Sequence, residues 1–168
     1  MSWDAVGAVA ELVGSFAVVL TLIYLAVQMR QNSTIAVAES EREILASWDD
    51  AVQNIIQNNS TMLPAMRDLA SLDEDEIHIA IARMAKLIQA HHMIWRMTKL
   101  NQISMDTVTA TDRVIGMLLS TPGGRAYWEE SRFSWPHAEH VDSILEVFSG
   151  PSWIEFNETF IKKLRSDA

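Results

Sequence analysis

From Leu12 to Val27 the chain runs for sixteen residues without a charge. The apolar segment reaches back to Ala5, so 23 residues carry a single charged group, Glu11. As a helix rising ~1.5 Å per residue, that segment is about 34 Å long, enough to cross a hydrocarbon core of about 30 Å. A soluble amphipathic helix needs a polar face. Between Leu12 and Val27 the only polar groups are the hydroxyls of Ser15, Thr21 and Tyr24, too few to form one. Trp3 and Tyr24 lie near the two ends, where amphipathic rings favour a membrane interface, and Gln28-Met29-Arg30-Gln31-Asn32 ends the run. Met1-Ser2-Trp3-Asp4 lacks the basic start of a secretory signal, and no small-residue cleavage site follows. The expectation is an anchor over residues 1–31, attached to a domain over residues 32–168.

The flank before the segment has no Lys or Arg, whereas Arg30 and Arg42 follow it. The positive-inside rule therefore places the N-terminus outside and the domain in the cytoplasm. Glu11 has two main readings: a carboxylate at the outer interface, or one bordering a contact face. Gly7, Ala10, Gly14 and Ala17 follow steps of three, four and three, so these small residues share one side of a helix and permit close approach by another, either self or a different protein. A ring of Glu11 lining a pore is disfavoured, because no polar stripe continues through the segment.

The remainder reads as all-α. Val37, Ile44, Leu45, Trp48, Val52, Ile55 and Ile56 recur at helical steps over about 34–58, with a bend expected near Asn32-Ser33. Pro64 suits the first turn of a short helix. Ser71-Leu72-Asp73-Glu74 reads as a capping box before a long helix to about Asn101, whose apolar face runs Ile77, Ile81, Met84, Leu87 or Ile88, His91, Trp95 and Leu100. A helix over Met105–Ser120 follows, then one with Thr121 as N-cap and Pro122 at its first position. Another spans about Pro136–Ser149, closed by Gly150, and a last is capped by Ser152 and ends near Arg165. There is no strand-like alternation and no repeat. The expected architecture is a helical bundle of five or six helices behind one transmembrane helix.

Two stretches, Leu20–Asn32 (LTLIYLAVQMRQN) and Ser120–Arg132 (STPGGRAYWEESR), resemble a group of uncharacterised bacterial proteins. Those proteins share the layout: one apolar N-terminal helix ending in a polar Gln-Arg-Gln-Asn-type run, then a helical domain of similar length. The resemblance implies a bacterial membrane-anchored protein and supplies no activity and no catalytic residues; the location expected for the chain is the bacterial inner membrane.

Composition excludes several function classes. The chain has no Cys, so disulfides and thiolate metal sites are absent. Its net charge is −9, with no basic stripe, which removes the phosphate-neutralising term that nucleic-acid binding needs. No catalytic nucleophile setting and no cofactor motif is present. His137-x-x-His140 has a spacing that can chelate a metal, and Asp75-x-x-His78 has a carboxylate–histidine spacing, but no Glu-x-x-His of a di-iron bundle occurs. His91 and His92 point about 100° apart on a helix. The bland reading puts His78 and His92 on the helix surface, His91 at the core edge, and His137 and His140 as first-turn polar residues. The glycines of Thr121-Pro122-Gly123-Gly124-Arg125 read as a tight helix entry. Tyr127, Trp128 and Trp135 cluster within nine residues, as core or as a docking patch on the domain surface.

The leading functional expectation is a non-enzymatic single-pass membrane protein that acts by assembly, as an accessory subunit of a membrane complex or a homo-oligomer. Its partners would be the bilayer and other transmembrane helices. Alternatives are a membrane-tethered enzyme with a His/carboxylate metal site, and a binder of a small apolar ligand or lipid.

Overall fold

The computed structural model describes residues 3–166, so the first two and last two residues of the expected anchor and domain lie outside it. Of the described residues, 88% are helical. Among the described residues there are seven α-helices and no strand: α1 Trp3–Gln57, α2 Asn59–Arg67, α3 Glu74–Lys99, α4 Met105–Leu119, α5 Pro122–Ser131, α6 Ala138–Val147 and α7 Trp153–Ser166. Short 3-10 turns, Leu69–Ser71 and Arg132–Ser134, join α2 to α3 and α5 to α6. Two compact units result, Met1–Arg42 and Glu43–Ala168.

The first unit is the apolar part of α1. It is the one described helix long and apolar enough to cross a membrane, and its apolar window is entirely exposed, which is compatible with a membrane span or a signal sequence. Its few hydroxyls fold back onto the helix: Ser15 donates to the carbonyl of Glu11 and Thr21 to that of Ala17. Helical structure runs unbroken through Asn32-Ser33, so the helix over 34–58 continues from the apolar segment. Thr34 donates its hydroxyl to the Arg30 carbonyl there, so the polar side chains serve the helix rather than interrupt it.

In the second unit, Ala51 and Ile55 of α1 enter a core built from Met62, Ala65, Met66, Met84, Leu87, Ile88, Ile115, Leu118, Leu119, Trp128 and Val141. Helix α4 is central, packing on α3, α5 and α6, while α2 packs on α3, α5 and α7. A smaller cluster of Ile94, Ile103 and Val108 closes one side.

Several boundaries differ from expectation for local reasons. Helix α2 starts at Asn59, and Pro64 lies inside it; Thr61 and Met62 both donate to the Asn58 carbonyl, starting the helix a turn before the proline. The capping box of α3 belongs to Asp73 and Glu76, not Ser71 and Glu74, because the Ser71 hydroxyl is taken by the Asp68 carbonyl. The helix ends at Lys99. Asn101 adopts φ 55°, Gln102 donates to the Met97 carbonyl and Asn101 to that of Thr98, the paired bonds of a Schellman stop. The buried face of α3 is Ala80, Met84, Leu87, Ile88, Ala90, His91 and Ile94; Ile81 and Leu100, expected on it, are exposed. Gly150 does not close α6 in a left-handed conformation: α6 ends at Val147, with Phe148 extended.

The α5 entry forms as expected. Thr121 accepts from the Gly124 amide, and Pro122 holds the first position. Gly123 is there because α2 passes against it: a Cβ at this position would lie 1.8 Å from the Ala65 carbonyl oxygen. Tyr127 and Trp128 are buried. The docking patch expected of them therefore gives way to packing, with the Trp128 indole N–H donating to Asp142 at 2.9 Å. Trp135 is half-buried against the core, and the exposed ring of this stretch is Phe133.

Candidate metal centre

Three helices and the turn before one of them bring four histidines and one aspartate together. His91 stands on the buried face of α3, fully buried. Asp112 stands on α4, one turn from Val108 and Ile115 of its buried stripe. His140 is in the first turn of α6, and His137 is its non-helical N-cap residue, 1% exposed.

The geometry is convergent. Asp112 Oδ1 lies 2.7 Å from His91 Nε2 and 3.1 Å from His140 Nε2. These three atoms all lie within 4.8 Å of one another. On the far side of the His91 ring, Nδ1 lies 3.2 Å from His137 Nε2. The His91 and His140 rings are nearly parallel, with centroids 5.7 Å apart. His92 lies against His137 at 4.7 Å between centroids. Trp48 flanks His91, Trp95 flanks His137 and His140, and Trp135 meets His137 edge-on. These rings give the cluster an apolar, water-poor shell. Asp112 retains some exposure and lines an open cleft of about 380 Å³ between α4 and α6, shared with Thr109, Arg113, Ile144 and Phe148.

The electrostatics hold the one carboxylate ionised and disfavour the charged forms of His91, His92 and His137. Burial pushes the Asp112 carboxyl up, but hydrogen bonds from His140 and His91, with their charges, outweigh it and hold the group at about 2. Burial, then repulsion from His91, His92 and His140, drives His137 down to about 3. Burial also lowers His91 against the opposing pull of Asp112, and burial with the nearby Arg96 lowers His92. Neutral imidazoles and an ionised carboxylate are the protonation states that a metal ion requires of its ligands. Ligand bonds of about 2.0–2.2 Å at tetrahedral angles place neighbouring donor atoms about 3.3–3.6 Å apart, so a bound ion would draw Asp112 Oδ1 away from both imidazole nitrogens, further from His91 than from His140.

The structure divides the His137-x-x-His140 pair. His140 faces Asp112, whereas His137 faces the other edge of His91, so the two do not chelate through their shared helical spacing. His78 stays exposed, 4.0 Å from Glu74. Asp112 was not singled out from sequence, although it left a signal: Val108, Asp112, Ile115 and Leu119 follow steps of four, three and four, which sets a carboxylate on an apolar stripe. Gly7 and Gly14 face open space in the first unit, with nothing within 4 Å of a Cβ placed on either, and Ala10, Glu11 and Ala17 are exposed beside them. Comparisons with protein-family models, curated proteins and solved structures found no match to this chain.

Proposed function

We propose that the helical domain binds a divalent transition-metal ion through His91 Nε2, Asp112 Oδ1 and His140 Nε2, on a chain anchored in a membrane by the apolar part of α1. The observation that carries the first half is the convergence of three donor atoms from α3, α4 and α6 within 4.8 Å of one another. Two imidazoles and a carboxylate suit zinc, iron or manganese, and three protein donors leave coordination positions for water or a ligand. His137 acts from behind: with His91 Nε2 on the metal, its Nδ1–H donates to neutral His137 Nε2 and fixes the ring's orientation.

Elemental analysis of protein purified without a polyhistidine tag tests this. About one equivalent of zinc, iron or manganese, lost in Asp112→Asn and in His91→Gln, is the expected result. A metal-free protein that also fails to take up added zinc, iron or manganese in isothermal titration defeats the reading and leaves the cluster as a hydrogen-bonded His–Asp–His brace.

The anchor reading is supported by the length and full exposure of the apolar segment. It carries the bacterial inner-membrane location with the domain in the cytoplasm, argued from Arg30 and Arg42. Protease protection in sealed vesicles of known sidedness tests that orientation. A second role, assembly through the Gly7, Ala10, Gly14 and Ala17 face bordered by Glu11, is favoured by the open space over both glycines. Gly14→Leu should then shift the protein to a smaller species on native electrophoresis in mild detergent; an unchanged species defeats the contact face.

A further inference from the structure

Helix α7 is seated at its start and uncovered beyond it. Trp153 and Ile154 pack against the core. From Glu155 to Ser166 every residue except Asn157 is exposed. That length carries Phe156, Phe160, Ile161 and Leu164, each about half exposed at 46–57%. Phe156 and Phe160 are one turn apart, their rings parallel with centroids at 6.3 Å. At ~100° per residue, Phe156, Phe160 and Leu164 form one row, with Ile161 beside it. The same row contains Trp153, so the face that grips the core continues without a partner.

Charges of both signs flank this row. Glu158 is held by Arg67 at 3.1 Å, and Glu155 caps the helix start by accepting from Ser152 at 2.8 Å. Glu155 projects from the side opposite the apolar face, and Glu158, paired with Arg67, projects beside Arg165. From the centre of the apolar face, Ile161 included, the helical angles place Lys163 about 85° to one side and Arg165 about 115° to the other, within about 20° of Glu158, with Lys162 on the opposite side. None of these three cations has an ion pair among the described residues. A chain of net charge −9 thus ends in a short helix whose exposed length is aromatic and aliphatic on one side and cationic at its edges.

We propose that α7 is an interfacial helix that lies in the headgroup region of an anionic lipid surface. Phe156, Phe160, Ile161 and Leu164 enter the acyl boundary while Lys163 and Arg165 extend along the margins to lipid phosphates. Charge complementarity selects lipid over a second copy of the chain, because an acidic domain would meet the cations of α7 only at scattered sites, whereas an anionic leaflet meets both margins at once. In the membrane-anchored reading, on which the physiological setting rests, the anchor holds α7 at high effective concentration near such a surface.

The absence of Cys permits single-site labelling of the full-length chain. Phe160→Cys and Lys162→Cys, each carrying an environment-sensitive NBD dye, are mixed with or reconstituted into vesicles of phosphatidylcholine alone and with 30% phosphatidylglycerol. The dye at 160 should shift to the blue and be quenched by brominated acyl chains in the anionic vesicles, while the dye at 162 stays water-like. Adding 0.5 M salt, or Lys163→Glu with Arg165→Glu, should cut the partitioning of position 160 by about tenfold or more. A position-160 dye that remains water-like in anionic vesicles overturns the proposal. So does a blue shift that tracks protein concentration instead of lipid, which assigns the face to a second copy. Carbonate washing of the same sample reads the anchor separately. A chain stripped from the lipid defeats the anchor reading, whereas a chain that resists washing with a water-like dye at 160 defeats the α7 proposal alone.

Discussion

His137 concentrates the chemistry of the cluster at one side chain. It is buried among His91, His92, Trp95 and Trp135, and burial holds it neutral down to about pH 3. The unfolded chain protonates this group near its ordinary value of 6.5, so between about 6.5 and 3 the unfolded state binds a proton that the native state refuses. Stability therefore falls as pH drops through that window, and the lowered His91 acts in the same direction. Asp112, held at about 2 against 3.8, also loses stability to acid, but only below about pH 4. The metal-free domain should melt progressively lower from pH 7 to pH 4, and His137→Gln should flatten that slope. An equal slope in the variant would move the acid sensitivity elsewhere. Gly123 makes a purely steric case. A Cβ lying 1.8 Å from the backbone oxygen of Ala65 forces α5 and α2 apart, so Gly123→Ala should cost about 2–3 kcal/mol of unfolding free energy. Gly116→Ala meets only the Phe148 ring, a side chain at the exposed end of α6 that can turn aside, and should cost less in the same denaturation series.

At the scale of elements, the caps of α3 show how local chemistry sets a boundary. Asp73 accepts from the Glu76 amide at 2.8 Å while the Glu76 carboxylate reaches back to the Asp73 amide. Asp73→Ala should lower stability by about 1 kcal/mol, read by urea unfolding followed by circular dichroism. At the other end, Asn101 with φ 55° tolerates Gly with little change, whereas Asn101→Val, β-branched in the left-handed region, should cost about 1–2 kcal/mol. Much at this scale was legible in the amino-acid order. Thr121-Pro122 marks the start of α5, Ser152 with Glu155 the start of α7, and helical spacing marks α3 and α4. The misplaced cap shows the limit. Ser71 and Asp73 are both good cap residues, and what separates them is the 3-10 turn closed by Asp68, which occupies the Ser71 hydroxyl. The aromatic run from Tyr127 to Trp135 was ambiguous for a similar reason. Composition alone does not distinguish rings facing α4 and α6 from rings facing water, and the structure buries Tyr127 and Trp128 while exposing Phe133.

At the scale of the molecule, a metal ion bridging α3, α4 and α6 would bind the native state and not the unfolded chain. Zinc at a hundredfold excess over its dissociation constant should then stabilise the full-length protein by about 2.7 kcal/mol, seen as a rise in melting temperature that Asp112→Asn abolishes. A midpoint unmoved by metal would separate the cluster from metal binding. The amino-acid sequence by itself determined the helical class, the uninterrupted apolar segment and most helix ends, because these follow from hydrophobic period, side-chain volume and capping within a few residues of chain. It also placed His91 on an apolar face and singled out His137 and His140. Only the tertiary structure decided that His91 and His140 meet on Asp112, that His137 stands behind His91 and not beside His140, and that the apolar row of α7 outruns the core. Those relations join residues 21 to 46 positions apart, and α7 to a core assembled from the other helices. They are set by how helices pack against one another, and the periodicity within any one helix carries no record of that packing.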